Sequence, residues 1–190
     1  MDNDTLYIKN MVCPRCIQSV QRIITEAELD LVHIELGKVV VYNKVSREQL
    51  SEIDKQLKDS GFELLQDKTQ KTIEEIKTEI INMIHYEKKI DGHVNISNHL
   101  SKKTGCDYSY LSNLFSSVEG ITIEKYLIRQ KIERAKELLV YDELSLKEIS
   151  WDLGYSSVQH LSTQFRKITG LSPSQFKKLR SIERKPLDQV

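Results

Sequence analysis

The sequence predicts two units of different fold class: an α+β unit over residues 1–68 and an all-α unit over residues 69–190. Three observations support this division. Through residue 67, apolar residues recur with the strand period of two and the helical period of about 3.6, in turn. Beyond residue 70 only the helical period remains, and glycines separate the helical segments. The second unit also contains an internal repeat.

The first unit is predicted to run strand, helix, strand, strand, helix, strand. The segments LYIKNM and LVHIEL alternate as strands do, and Gly37-Lys38 follows LVHIEL as a hairpin turn would. Apolar residues at helical spacing follow the first and third strands. Ser46 and Gln49 are placed to form a capping box at the second helix, which Gly61 would end before the last strand. This order is typical of a ferredoxin-like α+β fold.

The charges are divided unequally along the chain, although the net charge is zero. Residues 1–68 hold 9 basic and 12 acidic residues, a net charge of −3, and residues 69–92 carry −1. Residues 93–190 hold 15 basic and 11 acidic residues, a net charge of +4. The second unit is therefore the one suited to a phosphate backbone.

A cytoplasmic protein is expected from what the sequence lacks. It has no run of about 18 apolar residues that could span a bilayer. The N-terminus, MDNDTLYIKN, lacks the basic segment and apolar run of a secretory signal. Three cysteines do not make a disulfide framework. No phosphate-binding loop or catalytic triad is present either, so an enzyme is not predicted.

The internal repeat has an offset of fifty residues. It pairs YLSNLFSSVEGITIEKY at 110–126 with HLSTQFRKITGLSPSQF at 160–176. Four pairs within it are identical: Leu111 and Leu161, Ser112 and Ser162, Phe115 and Phe165, Gly120 and Gly170. Further upstream, Gly105 corresponds to Gly154 once one residue is inserted in the second copy. Such a dense match indicates two copies of one structural motif.

Each copy is predicted to be a helix-turn-helix. A small residue near the end of the first helix, Ser101 or Ser150, would let the helices approach closely, and a glycine would form the turn. The second helix would bury one face and present the other to a DNA major groove. Two units in one chain could contact successive major-groove segments about 34 Å apart. The alternative is an all-helical interaction module whose polar face is only solvated.

The second unit resembles the DNA-binding domain of AraC/XylS bacterial regulators over residues 71–182. The resemblance rests on the spacing of KIERAKELL at 131–139, LKEISWDLGYSS at 146–157, HLSTQF at 160–165 and TGLSPSQFKK at 169–178. It implies a seven-helix domain that binds promoter DNA with two helix-turn-helix units. Double-stranded DNA and RNA polymerase are the partners that it implies; a membrane is not among them.

The resemblance also implies which residues face the bases. In the first copy these are Ser109, Ser112 and Asn113, and in the second they are Val158, Gln159, Ser162 and Thr163. Family members often carry arginine where this chain has Asn113 and Thr163. Gln159 could instead contact adenine with two hydrogen bonds, and Val158 could contact a thymine methyl, so an A·T-rich site is predicted. Arg166 and Lys167 are expected to contact phosphates.

A second motif, Met11-Val12-Cys13-Pro14-Arg15-Cys16, lies between the first strand and the first helix. Two thiols this close at a helix N-terminus can bind one soft ion, and the helix dipole favours their thiolate forms. The motif and the strand–helix order resemble the heavy-metal-associated domain over residues 5–67. That resemblance implies that Cys13 and Cys16 bind one ion such as copper(I), with departures from the family at Asn10 and Pro14.

Alternatives to a metal site remain at this stage. The domain could keep the fold without binding a metal physiologically. CPRC also resembles a glutaredoxin motif, but that fold needs a second proline, and the first unit contains only Pro14. Three functions are therefore compared: a DNA-binding regulator responsive to a metal or thiol state, a metal chaperone whose helical half docks onto a partner, and a thiol oxidoreductase. Cys106 is expected to be a turn residue rather than a third ligand.

Overall fold

The computed structural model describes residues 3–86, 95–179 and Leu187. Contacts divide the chain into two compact units, Met1–Thr78 and Glu79–Val190. The elements of the first unit, up to its last strand, are β1 (Asn3–Lys9), α1 (Pro14–Glu26), β2 (Leu31–Glu35), β3 (Lys38–Tyr42), α2 (Arg47–Asp59) and β4 (Glu63–Leu65). The predicted α+β order of strands and helices is confirmed.

The four strands form one antiparallel sheet in the order β2-β3-β1-β4. This is the strand order of the predicted ferredoxin-like fold. In the two pairings of β1, Leu6 lies opposite Val39 of β3, and Ile8 lies opposite Leu64 of β4. The core of the unit contains apolar residues of β1, β3 and both helices, all less than a tenth exposed: Leu6, Ile8, Val20, Ile24, Val39, Val41, Ile53 and Leu57.

Local residue chemistry explains how the elements of the first unit begin and end. Ser46 and Gln49 form the predicted capping box at α2. The hairpin turn lies at Leu36-Gly37, one residue earlier than predicted, and Gly37 has a φ of +75° that glycine adopts at low cost. β1 begins at Asn3 and ends at Lys9 rather than covering LYIKNM, because Asn10 has a φ of +70° that turns the chain out of the strand.

A long helix, α3 (Lys68–Ile81), follows the sheet and continues into a π-helical turn at Asn82–Tyr86. Its buried face carries Ile73, Ile76 and Ile80, which recur at helical spacing. The first half of α3 contacts β1, since Lys71 Nζ lies 5.2 Å from the centre of the Tyr7 ring. The division between the compact units lies inside α3, after Thr78. The domain boundary between residues 68 and 69 stays a prediction.

The second unit is helical throughout the part that the structure describes. Its remaining helices are α4 (Ile96–Thr104), α5 (Tyr108–Glu119), α6 (Ile123–Tyr141), α7 (Leu146–Asp152), α8 (Val158–Thr169) and α9 (Pro173–Leu179). With α3 they make the seven α-helices of residues 68–179, apart from the undescribed stretch 87–94. None of the described helices combines the length and the apolar character needed to cross a membrane.

Candidate nucleic-acid interface

The first helix-turn-helix unit is α4, a three-residue turn and α5. Gly105 ends α4 in the left-handed conformation, with a φ of +69°, and its N–H donates to the Ser101 carbonyl at 3.0 Å. The side chain of Asp107 then accepts a hydrogen bond from the backbone N–H of Ser109 at 2.8 Å. This N-cap satisfies one of the four N–H groups that a helix leaves unpaired at its beginning.

The second helix-turn-helix unit consists of α7, a longer turn and α8. Ser150 near the end of α7 is fully buried, as expected of a small residue at a close helix contact, whereas Ser101 in α4 is half-buried. The Ser150 carbonyl accepts the N–H of Tyr155 at 2.8 Å, and Gly154, which lies between these two residues, has a φ of +67°. Ser157 caps α8 by accepting from the N–H of His160 at 3.1 Å. Both predicted turns are thus present.

The repeat seen in the sequence is also a repeat of contacts. Leu111 and Phe115 of α5 are fully buried, as are Leu161 and Phe165 of α8. The Phe115 ring packs against Tyr126 with 5.6 Å between centroids, and the Phe165 ring packs against Phe176 at 5.3 Å, each edge to face. Such pairs stabilise by about 0.5–1.5 kcal/mol beyond the burial of their surface. Each recognition helix is therefore fixed by the same apolar face.

The opposite faces of α5 and α8 carry the residues predicted to contact bases. Four of these residues are exposed: Ser109, Asn113, Gln159 and Thr163. Three are half-buried: Ser112, Val158 and Ser162. Arg166 and Lys167, the predicted phosphate contacts, are exposed in the last turns of α8. The roles assigned to all nine residues stay predictions.

Two contacts lie beside the recognition helices, and no pattern in the sequence indicates them. The Tyr108 hydroxyl at the beginning of α5 donates to Glu124 Oε1 of α6 at 2.5 Å, and this bond lowers the pKa of Glu124. Burial, followed by the same bond, raises the pKa of Tyr108. Near α8, Lys131 Nζ lies 5.3 Å from the centre of the Tyr155 ring, and burial lowers the pKa of this lysine. Both contacts join residues far apart in the chain, so no short motif marks them.

The cysteine pair lies at the beginning of α1 in the first unit. Cys13 is the N-cap residue, Pro14 takes the first helical position, and the sulfurs of Cys13 and Cys16 are 3.3 Å apart. Both cysteines are half-buried and unbridged, and Met11 before them is fully buried. The sequence therefore correctly places two neighbouring thiols at a helix N-terminus.

Burial raises the pKa of the Cys16 thiol, although backbone hydrogen bonds act in the opposite direction. At Cys16 burial thus outweighs the backbone hydrogen bonds that favour the thiolate. Cys106 lies in the turn between α4 and α5, where its Sγ contacts the Thr104 carbonyl at 3.6 Å, as predicted for a turn residue.

The donor set at α1 consists of two thiol sulfurs, which is a donor type that soft metal ions bind. Two sulfurs that share one ion lie no further apart than about twice the metal–sulfur distance of roughly 2.3 Å, and the observed 3.3 Å is within that limit. Across residues 3–86 and 95–179, no cluster of three or more His, Cys, Asp or Glu residues could hold a metal ion. Thiolate sulfurs are donors that soft ions such as copper(I) and zinc prefer.

Comparison with protein-family models matches residues 100–179 to a helix-turn-helix domain. A curated relative, the uncharacterized HTH-type transcriptional regulator YdiP of Escherichia coli, is 37% identical over 79 residues, which are 42% of this chain and 26% of that protein. The Msm operon regulatory protein of Streptococcus mutans is 33% identical over 81 residues, 43% of this chain and 29% of that protein. The chain thus spans little more than a quarter of the length of these relatives.

Among solved structures, a transcriptional regulator with an AraC-type DNA-binding domain from Chromobacterium violaceum aligns with a TM-score of 0.51 and 21% identity. The alignment covers 60% of this chain and 95% of that one. At this identity the likeness concerns the fold alone. The family match, residues 100–179, includes both turns of the helical unit, and the two curated relatives are described as a transcriptional regulator and an operon regulatory protein.

Proposed function

We propose that residues 100–179, which match a helix-turn-helix domain, form a DNA-binding domain of the AraC type, and that the chain regulates transcription by sequence-dependent binding to double-stranded DNA. The observation that carries the proposal is the matched pair of recognition helices, α5 and α8. Each buries a leucine and a phenylalanine on one side and exposes polar side chains on the other. An interaction module would not require the exposed pairs Ser109 and Gln159, and Asn113 and Thr163, to be polar in both copies.

The capped N-termini of α5 and α8 suit insertion into a major groove, which is wide enough to admit one helix. Residues in the first turns of a recognition helix contact base edges. In α8 these are Val158, Gln159 and Thr163. The Thr163 hydroxyl already donates to the Gln159 carbonyl at 2.9 Å, so its methyl group and its lone pairs remain for DNA. Gln159 keeps an amide that can pair with adenine.

We expect Gln159→Ala to weaken binding to the selected DNA site by about 1–3 kcal/mol, with little change on random DNA, because it removes a contact to a base. Lys167→Ala is the matched control on the same helix. It should weaken binding to both DNAs alike, because it removes a contact to a phosphate. Fluorescence anisotropy on both duplexes measures the two effects. Equal losses on both DNAs for Gln159→Ala would show that this residue does not read bases.

RNA polymerase is the protein partner that this function requires, since a promoter-bound regulator changes transcription by favouring or blocking the polymerase. The relatives named above are described as a transcriptional regulator and an operon regulatory protein, which agrees with this role. We propose polymerase as a partner in that general sense. The direction of the effect, activation or repression, depends on where the site lies in the promoter.

We further propose that Cys13 and Cys16 bind one soft metal ion, copper(I) before zinc, and that DNA binding responds to it. The first part is supported by the 3.3 Å separation of the sulfurs and by the shortage of further ligands among the described residues. Because thiolates are the metal-binding form and burial raises the pKa of Cys16, uptake should strengthen as the pH rises.

A contact between the cysteine loop and α3 supports the response to metal. Glu74 of α3 is only 7% exposed, and its Oε1 accepts the backbone N–H of Asn10 at 3.2 Å. Asn10 immediately precedes the Met11–Cys16 motif and also donates through Nδ2 to the Gly61 carbonyl at 3.0 Å. α3 is one continuous helix to Ile81, beyond the division between the compact units. A change in the loop would therefore act directly on the helix that leads to the DNA-binding unit.

A further inference from the structure

We propose that the two helix-turn-helix units contact DNA unequally: the second provides most of the phosphate contacts, and the first binds DNA mainly through neutral side chains. This rests on the proposed DNA-binding function. The two recognition helices have the same length and the same buried face, so differences in their exposed charges can be compared position by position.

The recognition helices with their N-caps carry opposite charge. Residues 107–119 hold two acidic residues, Asp107 and Glu119, and no basic ones, a net charge of −2. The matched residues 157–169 hold Arg166 and Lys167 and no acidic ones, a net charge of +2. The positions of Arg166 and Lys167 are occupied in α5 by Ser116 and Ser117. Four unit charges therefore separate two otherwise equivalent helices.

The N-terminus of α5 is also more negatively charged than the N-terminus of α8. A helix N-terminus attracts phosphate through its unpaired N–H groups and its dipole. At α5 the cap is the Asp107 carboxylate, and a second carboxylate, Glu124, lies next to it through its bond with Tyr108. The Tyr108 hydrogen bond lowers the pKa of Glu124, which keeps it negatively charged. At α8 the cap is the neutral hydroxyl of Ser157, so a phosphate meets less repulsion there.

The first helix-turn-helix unit has cations, but they lie on its first helix, α4, rather than on α5. Lys102 and Lys103 are in the last turn of α4. Lys103 Nζ is paired with Glu79 at 3.3 Å, and this pairing reduces the charge that it offers to DNA. Removing Lys102 and Lys103 from the first helix-turn-helix unit is therefore a matched comparison for removing Arg166 and Lys167 from the second. We expect the removal from α8 to eliminate more phosphate contacts.

The experiment measures the affinity of the full chain for a pool of random-sequence duplexes and for a site selected from it, from 50 to 200 mM salt. Each phosphate contact contributes about 0.9 to the slope of log affinity against log salt. Arg166→Ala/Lys167→Ala should reduce this slope by about 1.8, and Lys102→Ala/Lys103→Ala by less than half as much. Ser116→Arg/Ser117→Lys, which gives α5 the cations of α8, should steepen the slope and tighten binding.

The outcomes separate this inference from the proposed function. Equal reductions for the two alanine pairs, or a larger reduction for the α4 pair, would overturn the unequal division while leaving DNA binding in place. Selection that enriches no sequence would instead reject the proposed function, and this inference with it. All substituted residues lie on the surface or are half-buried, and circular dichroism checks that each variant is folded.

Discussion

Phe165→Ala should lower the free energy of unfolding of the helical unit by about 3–5 kcal/mol and abolish DNA binding. Phe165 is fully buried in α8 and packs edge to face on Phe176 of α9. Its removal leaves a cavity behind the recognition helix and breaks the contact that holds α8 against α9. Because most domains are stable by only about 5–15 kcal/mol, this loss is a large part of the total.

Urea denaturation followed by circular dichroism measures this effect. Thr163→Ala on the same helix is the matched control, since Thr163 is exposed and should change the free energy of unfolding by no more than about 0.5 kcal/mol. Phe115→Ala should behave like Phe165→Ala, because Phe115 packs on Tyr126 in the same way. A Phe165→Ala protein as stable as the Thr163→Ala control would contradict the packing described for α8.

Cys13→Ser/Cys16→Ser should abolish uptake of copper(I) under a competing chelator, since serine hydroxyls replace both soft donors. The wild-type chain should take up one ion. In the wild type, metal should also change DNA affinity, whereas the double variant should bind DNA identically with and without copper. A disulfide between the two cysteines would remove the site as well, so the titration is run on reduced protein.

Glu74→Ala separates metal binding from its effect on DNA. The substitution removes the oxygen that accepts the Asn10 N–H, so copper(I) uptake should persist while its effect on DNA affinity weakens. A ligand shifts an equilibrium only through its different affinities for the two states. Equal copper uptake by the wild type and the double serine variant would eliminate the site. Wild-type uptake with unchanged DNA affinity would keep the site and reject the response.

Much of the fold follows from local patterns. The period of two in β1 and the isoleucine spacing of α3 correspond to buried residues, whereas in β2, the other segment predicted to alternate, Val32 is exposed. The repeat was the most informative feature, because an identical leucine and phenylalanine in each copy must occupy equivalent environments. The capping box of Ser46 and Gln49 was predictable because it depends only on residues within one helical turn.

Other features depend on tertiary packing and could not be predicted from local patterns. The first half of α3 is bound to the sheet through Glu74 and Lys71, which look like surface residues of an amphipathic helix. The Tyr108–Glu124 and Lys131–Tyr155 contacts join residues 16 and 24 positions apart, and their geometry depends on the turns between the helices. The raised pKa of Cys16 reflects burial, whereas the motif suggested only the helix dipole.

The central claim, that two helix-turn-helix units bind DNA according to its sequence, is tested most directly by selection from random duplexes with the full chain. The account predicts an enriched site with two A·T-rich segments centred about 10 base pairs apart. The chain should bind this site at least about 10³-fold more tightly than random DNA at physiological salt. Equal affinity for enriched and random duplexes, or an enriched site with a single segment, would contradict it.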